Sequence, residues 1–237
     1  MFFIPVIFNI LLIFLIKEVG EYPAPLPLSE NPKKEYIETV IYTLIVIFYS
    51  LINIFLLSRF LYSFYIELCF NTVIYLLIPL TYVIYRDHWT SKDLGFTSKV
   101  KSRWVVFIGV IFYTIFGFKN TFTYEISWII LLIYFYSNAF LEEFLFRGII
   151  QSKLERAFGQ KKAIILQALL FMSVHIPVNS SNFLLDGNLI KFFSAFGLQF
   201  LNGIIFGLIF LKTRNIWICV ICHYLNNWLG AIITLFL

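Results

Sequence analysis

The stretch IILLIYFYSNAFLEEFLFRGII, residues 129–150, decides the fold. It is long enough to cross a bilayer as a helix, which takes about 20 apolar residues. Yet Glu142, Glu143 and Arg147 lie within it. An ionisable side chain at the bilayer centre costs roughly 2.5–3.5 kcal/mol even on insertion scales. A chain that is 60% hydrophobic and only 13% charged has no packing reason to spend two adjacent acids there. The pair reads as a functional site inside a membrane. Two later apolar runs hold the other strongly polar candidates: His175 in one, His223 and Asn227 in the next.

Working outward, the composition agrees. Mean hydropathy is +0.87 and there are 29 phenylalanines among 237 residues, more apolar surface than a soluble domain of this length can bury. Eight segments are of spanning or near-spanning length, near 2–17, 37–58, 64–85, 104–118, 128–150, 163–178, 189–211 and 215–236. The expected fold is an all-α polytopic membrane protein. About eight transmembrane helices form one bundle around an intramembrane polar cavity, with residues 1–237 a single transmembrane domain.

The net charge of +5 is not a nucleic-acid signal, because its distribution follows the loops. With the N-terminus outside and eight spans, the inward loops carry fourteen Lys and Arg. The outward loops carry three, Arg59, Lys119 and Lys191, and Arg147 lies within a helix. That asymmetry favours both termini outside. Residues 2–17 lack a basic leader region and a small-residue cleavage site, so they read as a span rather than a signal peptide. The Ile/Phe/Lys/Asn bias points to a bacterial cell membrane.

The remaining segments are minor in content. Residues 20–35 contain four prolines and read as a partly extended connector. Residues 86–103 form a charged inner loop in which 91–95 could be one surface turn. Gly203 and Gly207, four apart, share a helix face and permit close helix approach. Gln199 and Asn202 nearby could bond neighbouring helices. Trp89, Trp104, Trp128 and Trp217 fall near span ends, as interfacial aromatics do. His88 reads as a solvated loop residue. Cys69, Cys219 and Cys222 lie in apolar segments and suggest no disulfide framework. Cys219-Val-Ile-Cys222-His223 has the spacing of c-type haem attachment, but an apolar span offers no open haem pocket.

The chemistry resides in three short motifs. On a helix, Glu143 and Arg147 are i,i+4 and can pair. Glu142 is rotated by about 100° and meets a different neighbour. One acid is thus neutralised by Arg147 and the other is left available as a general base. Phe171 lies one turn before His175 and can wall the imidazole. His223 and Asn227 are again i,i+4, a pair of donors suited to a developing oxyanion.

Glu-Glu-x-x-x-Arg, Phe-x-x-x-His and His-x-x-x-Asn, in this order on three apolar helices, resemble the CPBP intramembrane proteases. That family includes type II CAAX prenyl endopeptidases and bacteriocin-processing or self-immunity proteins. The resemblance covers about residues 90–230, including Lys92-Asp-Leu-Gly-Phe96. It implies peptide-bond hydrolysis within the membrane. Glu142 and His175 would activate water, His223 and Asn227 would hold the oxyanion, and Glu143 and Arg147 would form a structural ion pair. The substrate would be a membrane-associated peptide: a prenylated C-terminus, a bacteriocin leader or a membrane regulator.

Glu142, His175 and His223 could also supply three ligands of a catalytic zinc, leaving one position for water. The His-Glu-x-x-His signature is absent, and a glutamate-activated water without metal uses the same residues. Two other functions fit an intramembrane acid pair. A proton-coupled transporter would need a relay, but no internal repeat or paired broken helices are visible. A non-catalytic bacteriocin self-immunity or binding protein could keep the same fold.

Overall fold

The computed structural model describes residues 3–57, 64–97, 100, 102–117 and 127–234. Among them the regular structure is entirely helical. The helices are α1 (Phe3–Glu18), α2 (Pro32–Ile52, extended by a π-helical turn Asn53–Leu57), α3 (Phe64–Thr72, Val73–Leu77 and Ile78–Tyr85 end to end), α4 (Arg103–Gly117), α5 (Trp128–Phe158), α6 (Gln160–Ser173), α7 (Ile176–Asp186), α8 (Leu189–Thr213) and α9 (Ile216–Thr234).

The described residues of the eight expected segments lie on helices, apart from a break in the sixth and Asn215 at the start of the eighth. By length and apolar content, four of the described helices can cross a membrane: α2, α3, α5 and α8. Helices α6 and α7 make a fifth if the bent pair is one span, while α4 and α9 are shorter apolar helices.

The sixth segment differs from expectation. Instead of one helix ending near 178, it breaks after Ser173, turns by 43° and runs on to Asp186. Pro177 explains the break. It has no N–H to donate and restricts the residue before it, so it fits the first turn of a new helix and disrupts an old one. His175 occupies the break as the residue capping α7.

Helices α5 and α8 provide the interior. Residues 143–155 of α5 and 205–213 of α8 are buried throughout. Helices α1 and α6 pack on α8, α4 packs on α9, and the last turns of α5 pack on α2 and α6. Helices α6 and α8 approach closely. A Cβ on Gly203 would lie 2.8 Å from Ala168 Cα, and one on Gly207 2.8 Å from Gln167 Nε2. The missing side chains let buried amides reach across: Gln167 Nε2 donates to the Gly203 carbonyl and Gln151 Nε2, 2.9 Å away, to that of Gly207. Outward-facing positions such as Phe14 and Phe48 are exposed, as a lipid-facing surface requires. Trp104, Trp128 and Trp217 are exposed too, but Trp89 is buried.

Trp89 is buried because the ends expected to face inward are joined by charge. Lys153 is fully buried, and its ammonium donates to Glu35, Glu38 and Asp87 while lying 5.2 Å from the Trp89 ring. Arg156 bonds Asp93 and covers the same ring. Arg214 pairs with both oxygens of buried Glu155, at 2.7 and 2.6 Å. Lys212 donates to the carbonyls of Lys17, Val19 and Gly20, closing the end of α1. The proline-rich connector is therefore a pinned strap: Leu26 N–H donates to Glu155, Ser29 N–H to the Arg156 carbonyl, and Gln160 to the Pro23 carbonyl. The 91–95 turn exposes Ser91 and Lys92 at the surface but buries Leu94 and Gly95. Gly95, at φ +82°, accepts from Ile216 N–H, and a Cβ there would meet the Phe210 ring at 2.5 Å.

Candidate active site

Helix α5 is irregular where its acids lie. π-helical turns Phe135–Phe140 and Phe144–Gln151 flank the short α-helical piece Leu141–Glu143. The two adjacent acids point different ways, as a rotation of about 100° per residue demands. Glu143 is fully buried and Glu142 half-buried.

Glu143 Oε1 accepts from Arg147 Nη1 at 3.0 Å and from His223 Nδ1 at 2.7 Å. The first contact is the i,i+4 pair read from the sequence. The second, 80 residues away, has no sequence signal and ties α9 to α5. A carboxylate paired with arginine can accept but not donate, so Nδ1 carries the proton in this contact, leaving Nε2 for the rest of the site. His223 is thus not simply a partner of Asn227. Asn227 is half-buried, and its oxygen accepts from Asn226 Nδ2 at 2.7 Å, leaving its own amide N–H groups as donors.

Phe171 is the hub of the three motifs. Its ring lies 4.4 Å from the Arg147 guanidinium, 4.9 Å from the His175 ring and 6.5 Å from the His223 ring. Phe206 of α8 closes the other side, stacking on His223 at 5.2 Å and lying 5.2 Å from Arg147. An arginine held over two aromatic faces gains cation–π attraction in a site with few polar partners. At the helix break, His175 Nδ1 donates to the Phe171 carbonyl at 2.8 Å, because a carbonyl can only accept. Its Nε2 is then the free acceptor.

Glu142 stands apart from this cluster. Its segment packs on Val73–Leu77 of α3, where Tyr75 is within electrostatic reach. Among the described residues, no hydrogen bond reaches its carboxylate, and none links it to His175.

Among the described residues, the group of three or more metal-capable side chains whose ligand atoms lie within 4.8 Å of one another is Glu35, Glu38 and Asp87. The Lys153 ammonium already sits among those carboxylates. Glu142, His175 and His223 do not converge to that distance. The donor set does not fit a preformed zinc centre.

Two other polar expectations have partners: Asn179 donates to Gln199 at 2.8 Å, and Tyr113 to Asn202 at 3.3 Å. Cys219 and Cys222 are buried free thiols, without the open surroundings that haem attachment needs. His88 is exposed.

Residues 123–229 match the family model described as type II CAAX prenyl endopeptidase, Rce1-like, a segment that holds all three motifs. No curated protein and no solved structure matches the chain.

Proposed function

We propose that the chain is an intramembrane endopeptidase, because residues 123–229 match the Rce1-like type II CAAX prenyl endopeptidase family model. It hydrolyses a peptide bond of a membrane-held substrate with water activated by Glu142 and His175. The observation that carries this reading is the gathering of Arg147, His175 and His223, from three separate helices, around the single ring of Phe171.

The steps follow from the donors and acceptors available. His175 Nε2 accepts one hydrogen of a water molecule and orients it, while Glu142 takes the other as a proton. The hydroxide oxygen attacks the peptide carbonyl carbon and the C=O pair moves to oxygen. The oxyanion receives hydrogen bonds from the Asn227 amide and from His223 Nε2. His223 serves in its doubly protonated form, since its Nδ1–H is committed to Glu143, and Glu143 is the counter-ion that supports it. Glu142 then passes its proton to the departing amine as the C–N bond breaks. The carboxylic acid and amine so formed account for the water consumed, and proton transfer between them leaves carboxylate and ammonium. Glu142 and His175 close on the water only once substrate is bound, as catalytic contacts in empty sites often do.

In this reading all eight helical segments span the bilayer with both termini outside, an orientation supported by the fourteen-to-three split of basic residues. The polar residues then line a cavity reached from within the membrane.

The test is cleavage in detergent of a set of membrane-anchored peptides, including a prenylated CAAX peptide and its unlipidated form. Glu142→Gln is isosteric and removes only the base. It should lower turnover by about 10²–10⁴, the usual value of a general base, without changing the melting temperature. A chelator should leave wild-type activity unchanged. Full activity in Glu142→Gln would remove Glu142 from the mechanism. Loss on chelation, restored by zinc, would overturn the metal-free route.

A further inference from the structure

A groove of about 670 Å³ opens between α1, α6 and α8, away from the catalytic motifs, at the end of the bundle where the strap crosses. Two of its walls follow one rule. Exposed Lys17 stands one turn above Ile13 on α1, and exposed Lys161 one turn above Ile165 on α6. Leu208 of α8 lines the groove between them. A cationic rim therefore sits directly over an apolar slot, with Glu18 the one acid in the lining. The rim is held in place, because Lys212 reaches from α8 to the carbonyl of Lys17.

We propose that this groove is a binding site for one anionic phospholipid, the headgroup phosphate between Lys17 and Lys161 and an acyl chain in the slot below. The groove suits one headgroup and one acyl chain better than the length of a spanning helix, which is about 10 Å across and 30 Å long. The volume lies in the range of about 300–1,000 Å³ typical of small-ligand sites. The charge selects among lipids, since basic pockets between helices on the inner side attract anionic headgroups. The second groove of comparable size, between α2 and α3, has no charged residue in its lining and so lacks the feature that would choose one lipid over another.

The experiment is native mass spectrometry of the full chain, titrated with phosphatidylglycerol or phosphatidylcholine of matched acyl length, and separately with inorganic phosphate. One phosphatidylglycerol should remain bound under conditions that strip phosphatidylcholine, and phosphate alone should not bind. From about a fivefold factor for each lysine near an anionic surface, the double variant Lys17→Gln, Lys161→Gln should weaken phosphatidylglycerol binding roughly thirtyfold at low ionic strength. Ile165→Trp, which fills the slot but keeps both charges, should weaken it as well. Lys162→Gln, an exposed neighbour outside the lining, should not. All four positions are exposed, and circular dichroism confirms that each variant is folded. Equal retention of the two lipids, or undiminished phosphatidylglycerol binding in the double variant, would overturn the site. Phosphate binding as tight as the lipid would show an anion site without a lipid slot. These readouts do not depend on peptidase activity.

Discussion

Helix α5 passes through two buried charge clusters that are satisfied to very different degrees. Near its C-terminal end, Lys153 has three donors and three carboxylates to receive them, Glu35, Glu38 and Asp87. Lys34 and the Tyr82 hydroxyl supply further contacts to the same acids. Two turns earlier, Glu143 Oε1 receives both Arg147 and His223, while Glu143 Oε2 and Arg147 Nε and Nη2 have no hydrogen-bond partner among the described residues. Buried polar atoms are nearly always paired, so unpaired ones call for an explanation. The Lys153 cluster is closed and can only hold helices together. The Glu143 cluster is left incomplete by the protein itself, with aromatic faces where partners would be. That is the arrangement expected where charge must be presented to something that arrives later.

The contrast can be broken by removing one cation from each cluster. Lys153→Met would leave three carboxylates facing one another in a dry site. Removing one partner of a buried pair costs about 3–5 kcal/mol, and this variant should reach the top of that range, seen as lost yield and a lower melting temperature. Its folded fraction should keep its rate constants, because Lys153 touches no catalytic group. Arg147→Met should cost less stability, near the low end, since Glu143 keeps His223 as a partner. It should nonetheless lower activity by freeing the His223 imidazole to shift. If Arg147→Met proved fully active while Lys153→Met lost its peptidase rate, the two clusters would have their roles reversed.

A smaller effect sharpens the open cluster from within. If His223 and Asn227 act on one oxyanion, His223→Ala with Asn227→Ala should lose little more turnover than the worse single variant. Losses that multiply would place the two residues in separate steps.

The sequence made some of this legible and hid the rest for a physical reason. Helices show as apolar runs, and contacts within one helix follow from its period, so Glu143–Arg147 and the Gly203–Gly207 face could be read directly. Contacts between helices have no such rule. Glu143 and His223 are 80 positions apart, and nothing local says that the imidazole turns toward the acid rather than toward Asn227. Lys153 counts as one more inner-loop cation until its three acids, from α2 and the 86–97 loop, are brought around it. The break at His175 is absent from the expected spans although Pro177 lies two residues beyond it, because an apolar run that continues past a proline looks like one span.

The closed cluster makes one further demand, on pH. Burial by itself would raise the carboxyls of Asp87 and Asp93. For Asp87 the hydrogen bond and charge of Lys153, then of Lys34, outweigh burial; for Asp93 the bonds from Thr90 and the charge of Arg156 do so. Both are held below the ordinary aspartate value of 3.8. A carboxyl whose folded value is depressed binds its proton less readily when folded than when unfolded. The stability it adds is therefore present in full above the unfolded value and is lost as pH falls through the folded one. These two residues should leave the melting temperature unaffected between pH 7 and about pH 5, and should contribute to a steep fall below about pH 4. Asp93→Asn removes one titrating group from this end of the bundle without touching the open cluster, so its acid slope should be shallower than that of the wild type. Melting curves in detergent across that range check this. Identical slopes would mean that the ion pair at Asp93 does not report on folding, and that this end is held by the Lys153 group alone.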